Sequence, residues 1–247
     1  MREAIHVIQV QDVHKRFGIV AAVRGMSFAA PDGHITGMLG ENGAGKTTTL
    51  ALICGLIRPD GGSIQVGPRE TTPLERRRQV GALLDHKGLY GRLTARENIA
   101  YFGELHGVPA ATLGRRVQEI LVLLGLERLA ERPTAGFSQG ERMKVALGRA
   151  IVHSPPHLLL DEPTNGLDIP SVHALREVLR RMRDRGTCVV FSSHVFDDVR
   201  ALCDTVVIVS RGRVVANGEP AEICRRTGCA ALEDAVLQFT SREETVS

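Results

Sequence analysis

The stretch Gly40-Glu41-Asn42-Gly43-Ala44-Gly45-Lys46-Thr47 matches the spacing G-x-x-x-x-G-K-[ST] at every position. The chemistry this spacing supports is polyphosphate binding. Its glycines let the backbone curl so that successive N–H groups face phosphate oxygens. A following helix adds the positive end of its dipole. Lys46 can reach β- and γ-phosphates, and the Thr47 hydroxyl can ligate Mg²⁺. A dinucleotide fingerprint fits worse, because the glycines do not follow G-x-G-x-x-G. A second candidate is Leu158-Leu159-Leu160-Asp161-Glu162, an apolar run ending in two acids. Buried acids are costly without partners or a task. Beside a phosphate loop, Asp161 suits a Mg²⁺ shell and Glu162 is placed to orient or deprotonate a water. The alternative is a pair of acids on a surface turn before Pro163. Ser138 and Gly140 fall at a predicted helix start, which is either a second anion site or a plain serine N-cap. Phe17, in a turn between two strands, can stack on a base, but its spacing alone favours an ordinary core or surface phenylalanine.

These residues need elements to hold them. Residues 35–39 read as a short buried strand and 48–56 as a helix, the strand–loop–helix context of the phosphate loop. Residues 5–38 alternate as β-structure, with turns at 31–33 and 60–62, and strands follow at 63–66 and 80–84. Thr94 and Glu97 form a capping box, which predicts helices over about 95–106 and 113–124 with Pro109 between them. Residues 90–135 are thus a helical insertion between β-rich parts. Met143, Ala146, Leu147, Ala150 and Ile151 give the helix after Ser138 one apolar stripe. A further helix follows Pro170, with Val172, Leu175, Leu179 and Met182 inward, and Arg176, Arg180, Arg181 and Arg183 as a solvated face. Gly186 ends it. Residues 187–192 form a buried strand, 205–216 a hairpin about Arg211-Gly212, and 219–240 helices; the last seven residues are expected to fray. Leu39, Leu160 and Ser192 all end strands just before candidate site residues. Ligands of open α/β sheets bind beyond the carboxyl ends of strands. That shared placement singles out His194 as well.

Composition narrows the classes. The 247 residues carry a net charge of +3, too small to argue for a nucleic-acid partner. No apolar run reaches membrane-spanning length, and no signal-peptide core follows Met1. Five cysteines, an odd number with no C-x-x-C pair, argue against a disulfide framework and for a reducing cytoplasm. His153 and His157 have a helical metal-ligand spacing, but Pro155 and Pro156 between them break the helix, so no zinc site is expected.

The order of these motifs resembles the nucleotide-binding subunit of ABC transporters over about residues 5–240. Residues 40–47 match Walker A, 158–161 Walker B, and Glu162 the glutamate behind it. Ser138-Gln139-Gly140-Glu141 matches the signature, 165–168 the D-loop and His194 the switch histidine. Phe17 falls where the family carries its adenine-stacking aromatic. Residues 88–98 and 161–168 look most like export ATPases of the sodium-efflux type. The resemblance implies an α/β P-loop NTPase with a RecA-like core, an antiparallel β subdomain and an inserted helical subdomain at about 90–150, all in one domain. It implies ATP and Mg²⁺ as ligands. The nucleotide set is Phe17, Gly40, Glu41, Asn42, Gly43, Ala44, Gly45, Lys46, Thr47 and Thr48, with Ser138 and Gly140 serving a partner's ATP. The metal set is Thr47, Asp161 and Asp85, and the catalytic set Glu162, His194 and Lys46. A second ATP-binding subunit, identical or different, and a separate membrane permease at the cytoplasmic face complete the implied assembly. Two motifs depart from the family. Where the family's signature usually reads Leu-Ser-Gly-Gly-Gln, this chain has Phe137-Ser138-Gln139-Gly140-Glu141, which keeps the serine and the second glycine, and Glu141 is expected to turn away or hold Arg142 or another cation. Asp85 stands where most members have the Q-loop glutamine, and Gln79 lies at the wrong end of its strand to substitute. A soluble ABC-type ATPase would usually carry two cassettes or a long insertion, and a small-molecule kinase would not need Ser138–Glu141 or His194.

Overall fold

The computed structural model describes residues 6–68, 71–84 and 88–244. Asp85, with its expected metal-side role, lies outside the described residues. Strands β1 (His6–Phe17), β2 (Val20–Pro31) and β4 (Gly61–Val66) form an antiparallel sheet in the order β2-β1-β4. A second sheet has the order β5-β6-β7-β3-β8-β9. Its members are β3 (Ile35–Leu39), β5 (Val80–Leu83), β6 (His157–Asp161), β7 (Cys188–Ser193), β8 (Thr205–Ser210) and β9 (Arg213–Gly218). All neighbouring pairs but β8–β9 are parallel. This is the α/β architecture expected, with its β subdomain and helical insertion.

Parallel strands covered on both faces read as near-continuous apolar runs, which is how β6 and β7 read. Alternate residues serve two cores. Leu158, Leu160, Val189, Phe191 and Ile208 face the helical side. Leu159, Val190 and Val207 face the small sheet and helix α1 (Lys46–Ile53). Helix α2 (Pro73–Gln79) precedes β5. Helices α3 (Ala95–Leu105), α4 (Ala110–Leu123) and α5 (Gln139–Ile151) form the insertion. The capping box of α3 is present as expected, and Pro109 is the N-cap of α4. Fully buried Asn98 binds the insertion together. Its amide nitrogen donates to the carbonyls of Tyr90, Leu93 and Thr94, and its oxygen accepts from the Tyr90 N–H. Helix α6 (Ile169–Asp184) follows the D-loop turn, and α7 (Phe196–Leu202), α8 (Pro220–Thr227) and α9 (Leu232–Glu244) complete the chain.

Several details differ from the sequence reading. Helices α2 and α7 were not expected. Strand β4 begins at Gly61, which pairs with His14, so the glycines of the expected 60–62 turn already belong to the sheet. Helix α9 runs through residues 241–244 of the stretch expected to fray. The arginines of α6 are not simply solvated. Arg176 pairs with buried Asp198, and Arg183 with Asp184 and Asp204.

Candidate functional site

The parallel register brings the candidate residues together. Leu39 is the partner of Ser193, and Asp161 that of Ser192, so three strand ends lie side by side. The phosphate loop leaves β3 and enters α1 at Gly45, whose φ of 102° only glycine adopts readily. A Cβ there would sit 2.5 Å from the Ala22 carbonyl oxygen of β2, so the loop closes against the small sheet. Glu41, Asn42 and Gly43 are exposed, and Ala44 is buried. Lys46 is only 5% exposed. Its Nζ donates to the carbonyls of Gly40 at 2.6 Å and Glu41 at 3.1 Å and lies 3.6 Å from Glu162 Oε1.

Both acids have partners. Thr47 Oγ1 donates to Asp161 Oδ2 at 2.6 Å, and Ser192 Oγ donates to Asp161 Oδ1. Glu162 leaves the strand with φ 47°, a left-handed conformation unusual for a residue with a side chain. Its N–H donates to Ser192 Oγ at 2.9 Å. Its Oε2 contacts His194 Nδ1 at 2.8 Å, whereas its buried Oε1 makes no hydrogen bond. An ionised carboxylate accepts several hydrogen bonds, so Oε1 is a ready acceptor beside Lys46. Lys46, Thr47, Asp161, Glu162 and His194 therefore form one connected group. Thr48, partly buried, continues the α1 start behind them.

Phe17 ends β1 opposite Val20 and is 50% exposed, with the Lys15 ammonium 5.6 Å from its ring. Ser138 and Gly140 sit elsewhere. Among the described residues, neither hydrogen-bonds to the phosphate loop. Ser138 is the N-cap of α5 and accepts from the Glu141 N–H at 3.3 Å, while Glu141 Oε2 accepts from the Ser138 N–H at 2.7 Å. Glu141 thus turns back to cap its own helix, a task open to glutamine or glutamate at that position. The Ser138 hydroxyl keeps its proton to donate outward. Gln139 Nε2 donates to the Asn165 carbonyl at 2.9 Å. Gly166 leaves the space for it, since a Cβ there would come within 2.3 Å of Gln139 Nε2. Asp168 caps α6, and the hydrogen bonds from Ser171 hold its carboxyl below the usual range.

Sequence reasoning missed Ser192 as more than a strand end, and it missed Asp198. The latter, on α7, accepts from Thr164 Oγ1 just before the D-loop and pairs with Arg176. Neither carries a motif; only an expectation that buried polar residues have partners points to them.

The helical insertion presents Tyr90, Tyr101 and Leu105 to solvent, with Leu56 also exposed. Arg149 stacks 3.6 Å over the Phe102 ring. Beside them His106 and His153 stack face to face at 3.7 Å. Burial, and then the charge of His106, push His153 down to about 4, so it is neutral at pH 7.

This fold and phosphate loop define a P-loop NTPase. The ABC transporter family profile matches residues 23–165. The chain is 39% identical over 219 residues to the ABC transporter ATP-binding protein NatA of Bacillus subtilis (strain 168), covering 86% of this chain and 89% of that protein. It is 33% identical over 238 residues to the linearmycin resistance ATP-binding protein LnrL of the same organism, covering 95% and 75%. A sulfate/thiosulfate import ATP-binding protein, CysA of Synechocystis sp., is 36% identical over 218 residues, covering 87% and 61%. A solved ATP-binding subunit of an ABC transporter superposes with a TM-score of 0.86 at 30% identity, covering 94% of this chain and 99% of that one. The chain belongs to the ABC transporter family and is an ATP-binding, ATP-hydrolysing subunit. Among the described residues no helix is long and apolar enough to cross a membrane.

Proposed function

We propose that this chain powers export of a small ion or molecule through a separate membrane subunit, with sodium the candidate because residues 88–98 and 161–168 look most like export ATPases of the sodium-efflux type. The observation that carries the catalytic part is the connected group at the ends of β3, β6 and β7. Loop amides from Gly40 to Thr48 and the Lys46 ammonium cradle the phosphates. Glu162 takes a proton from the attacking water, whose oxygen bonds the γ-phosphorus as the bond to ADP breaks. His194 orients the γ-phosphate and holds the Glu162 carboxylate. Positioning and electrostatics carry most of the acceleration in phosphoryl transfer.

Thr47 and Asp161 fit Mg²⁺. They bring a hydroxyl and a carboxylate within 2.6 Å, and Mg²⁺ usually takes few protein oxygens and fills its shell with phosphate and water. When bound, the ion neutralises charge on the β- and γ-oxygens. Among the described residues no group of three or more His, Cys, Asp or Glu side chains offers a competing site.

The outward-facing Ser138 hydroxyl and the Gly140 amide end suit the ATP of a second ATP-binding subunit, in a head-to-tail dimer. The exposed apolar surface around Tyr90, Tyr101 and Leu105 suits a cytoplasmic segment of the membrane subunit. ATP should therefore drive dimerisation of the purified chain, measured by light scattering, together with phosphate release. A monomer with ATP that stays silent even when co-expressed with its membrane partner would overturn this reading.

For Phe17 we propose adenine stacking. Base–aromatic stacking is worth about 1–3 kcal/mol, so Phe17→Ala should raise the KM for ATP roughly 5- to 150-fold with kcat little changed. Phe17→Tyr should restore it. An unaltered KM in the alanine variant would remove Phe17 from the nucleotide site.

A further inference from the structure

Ser192 has no exposed surface and sits in β7 directly after the apolar run Cys188–Phe191 and before a second buried serine, Ser193. Placing a hydroxyl there is costly unless it is fully used. A hydroxyl has one proton to give and two lone pairs. Ser192 gives its proton to Asp161 Oδ1 and accepts the Glu162 N–H at 2.9 Å. Thr47 holds the other Asp161 oxygen at 2.6 Å, so the carboxylate is gripped at both ends and cannot rotate freely. The same hydroxyl fixes the peptide N–H of a residue in a left-handed conformation, φ 47°. That turn is what directs the Glu162 side chain toward Lys46 and His194.

We propose that Ser192 is a positioning residue that sets, through one hydroxyl, both the metal-side carboxylate of Asp161 and the water-side carboxylate of Glu162. This rests on the roles proposed above for those two acids. Groups that orient a metal ligand typically change metal affinity or activity 10- to 100-fold when removed. A hydroxyl that only satisfied a buried N–H would change stability and leave metal affinity alone.

The test is Mn²⁺ binding, followed by electron paramagnetic resonance, to the full chain loaded with a non-hydrolysable ATP analogue. Ser192→Ala should weaken Mn²⁺ binding about 10- to 100-fold and lower kcat, while binding of a fluorescent ATP analogue in EDTA is unchanged. Ser192→Thr, which keeps the hydroxyl, should recover the metal affinity. If the alanine variant does not fold, Ser192→Cys, of similar size but a weak donor, is read in its place. Unchanged Mn²⁺ affinity in the folded variant overturns the proposal. Asp161→Asn is measured alongside. If that change also leaves Mn²⁺ binding and hydrolysis intact, the reading of the metal side fails. If it abolishes binding while Ser192→Ala does not, only the role of Ser192 fails.

Discussion

Glu162→Gln should bind ATP as the parent does and hydrolyse it on the order of 10²–10⁴ times more slowly, the usual loss when a general base is removed. The amide keeps the shape of the side chain and can still accept from His194 through its oxygen. It cannot take a proton from water. Lys46, 3.6 Å away, loses a charged partner but keeps the Gly40 and Glu41 carbonyls. The lysine should therefore stay in place, and the loss should fall on kcat with little change in nucleotide affinity. Single-turnover phosphate release separates the chemical step from product release. ATP-loaded dimers should also accumulate, because the reaction that ends them is blocked. Turnover at the parent rate would place the base elsewhere.

Asp198→Ala should destabilise the fold by about 3–5 kcal/mol, the cost of stripping one partner from a buried ion pair. The Asp198 side chain is 3% exposed and that of Arg176 is 16% exposed. The substitution leaves the guanidinium without its carboxylate and the Thr164 hydroxyl without its acceptor. For a chain of this size each kcal/mol lowers Tm by about 2–4 °C, which makes the effect easy to see in a melting curve. Replacing both Asp198 and Arg176 with leucine should cost less than the single change, since no charge is then left unpaired. A loss below about 1 kcal/mol for Asp198→Ala would mean that water reaches the site and the pair is effectively a surface one.

The ease of reading this chain varied with distance along it. The phosphate loop, the Asp161–Glu162 pair and the N-cap of α5 were legible because their parts are neighbours at fixed spacing. The core strands were legible from unbroken apolar runs. Helix α2 was missed although Thr72 and Glu75 form a capping box, because seven residues are too few to show an apolar period. Helix α7, equally short, was missed for the same reason. Ser192 was invisible as a partner of Asp161. Thirty-one residues separate them, and only the parallel register of β6 and β7 sets them side by side. Arg176 looked solvated because a helical wheel shows a face and not what packs against it. Phe17 shows the opposite weighting: its spacing favoured an ordinary phenylalanine, and only the order of the other motifs raised base stacking.

The hydrogen bond from Gln139 to Asn165 bears on how two chains come together. Association usually requires loose loops to surrender their freedom, at about 0.5–1.5 kcal/mol for each side chain immobilised. Here the signature and the D-loop are already tied across 26 residues of sequence, with Gly166 making room for the tie. Much of that entropy is given up when the chain folds, before any partner arrives. In the proposed dimer the two segments would then meet an ATP-loaded neighbour as one stiff edge. A chain with glycine at position 139 lacks this link, so its two loops must be ordered separately at the moment of contact.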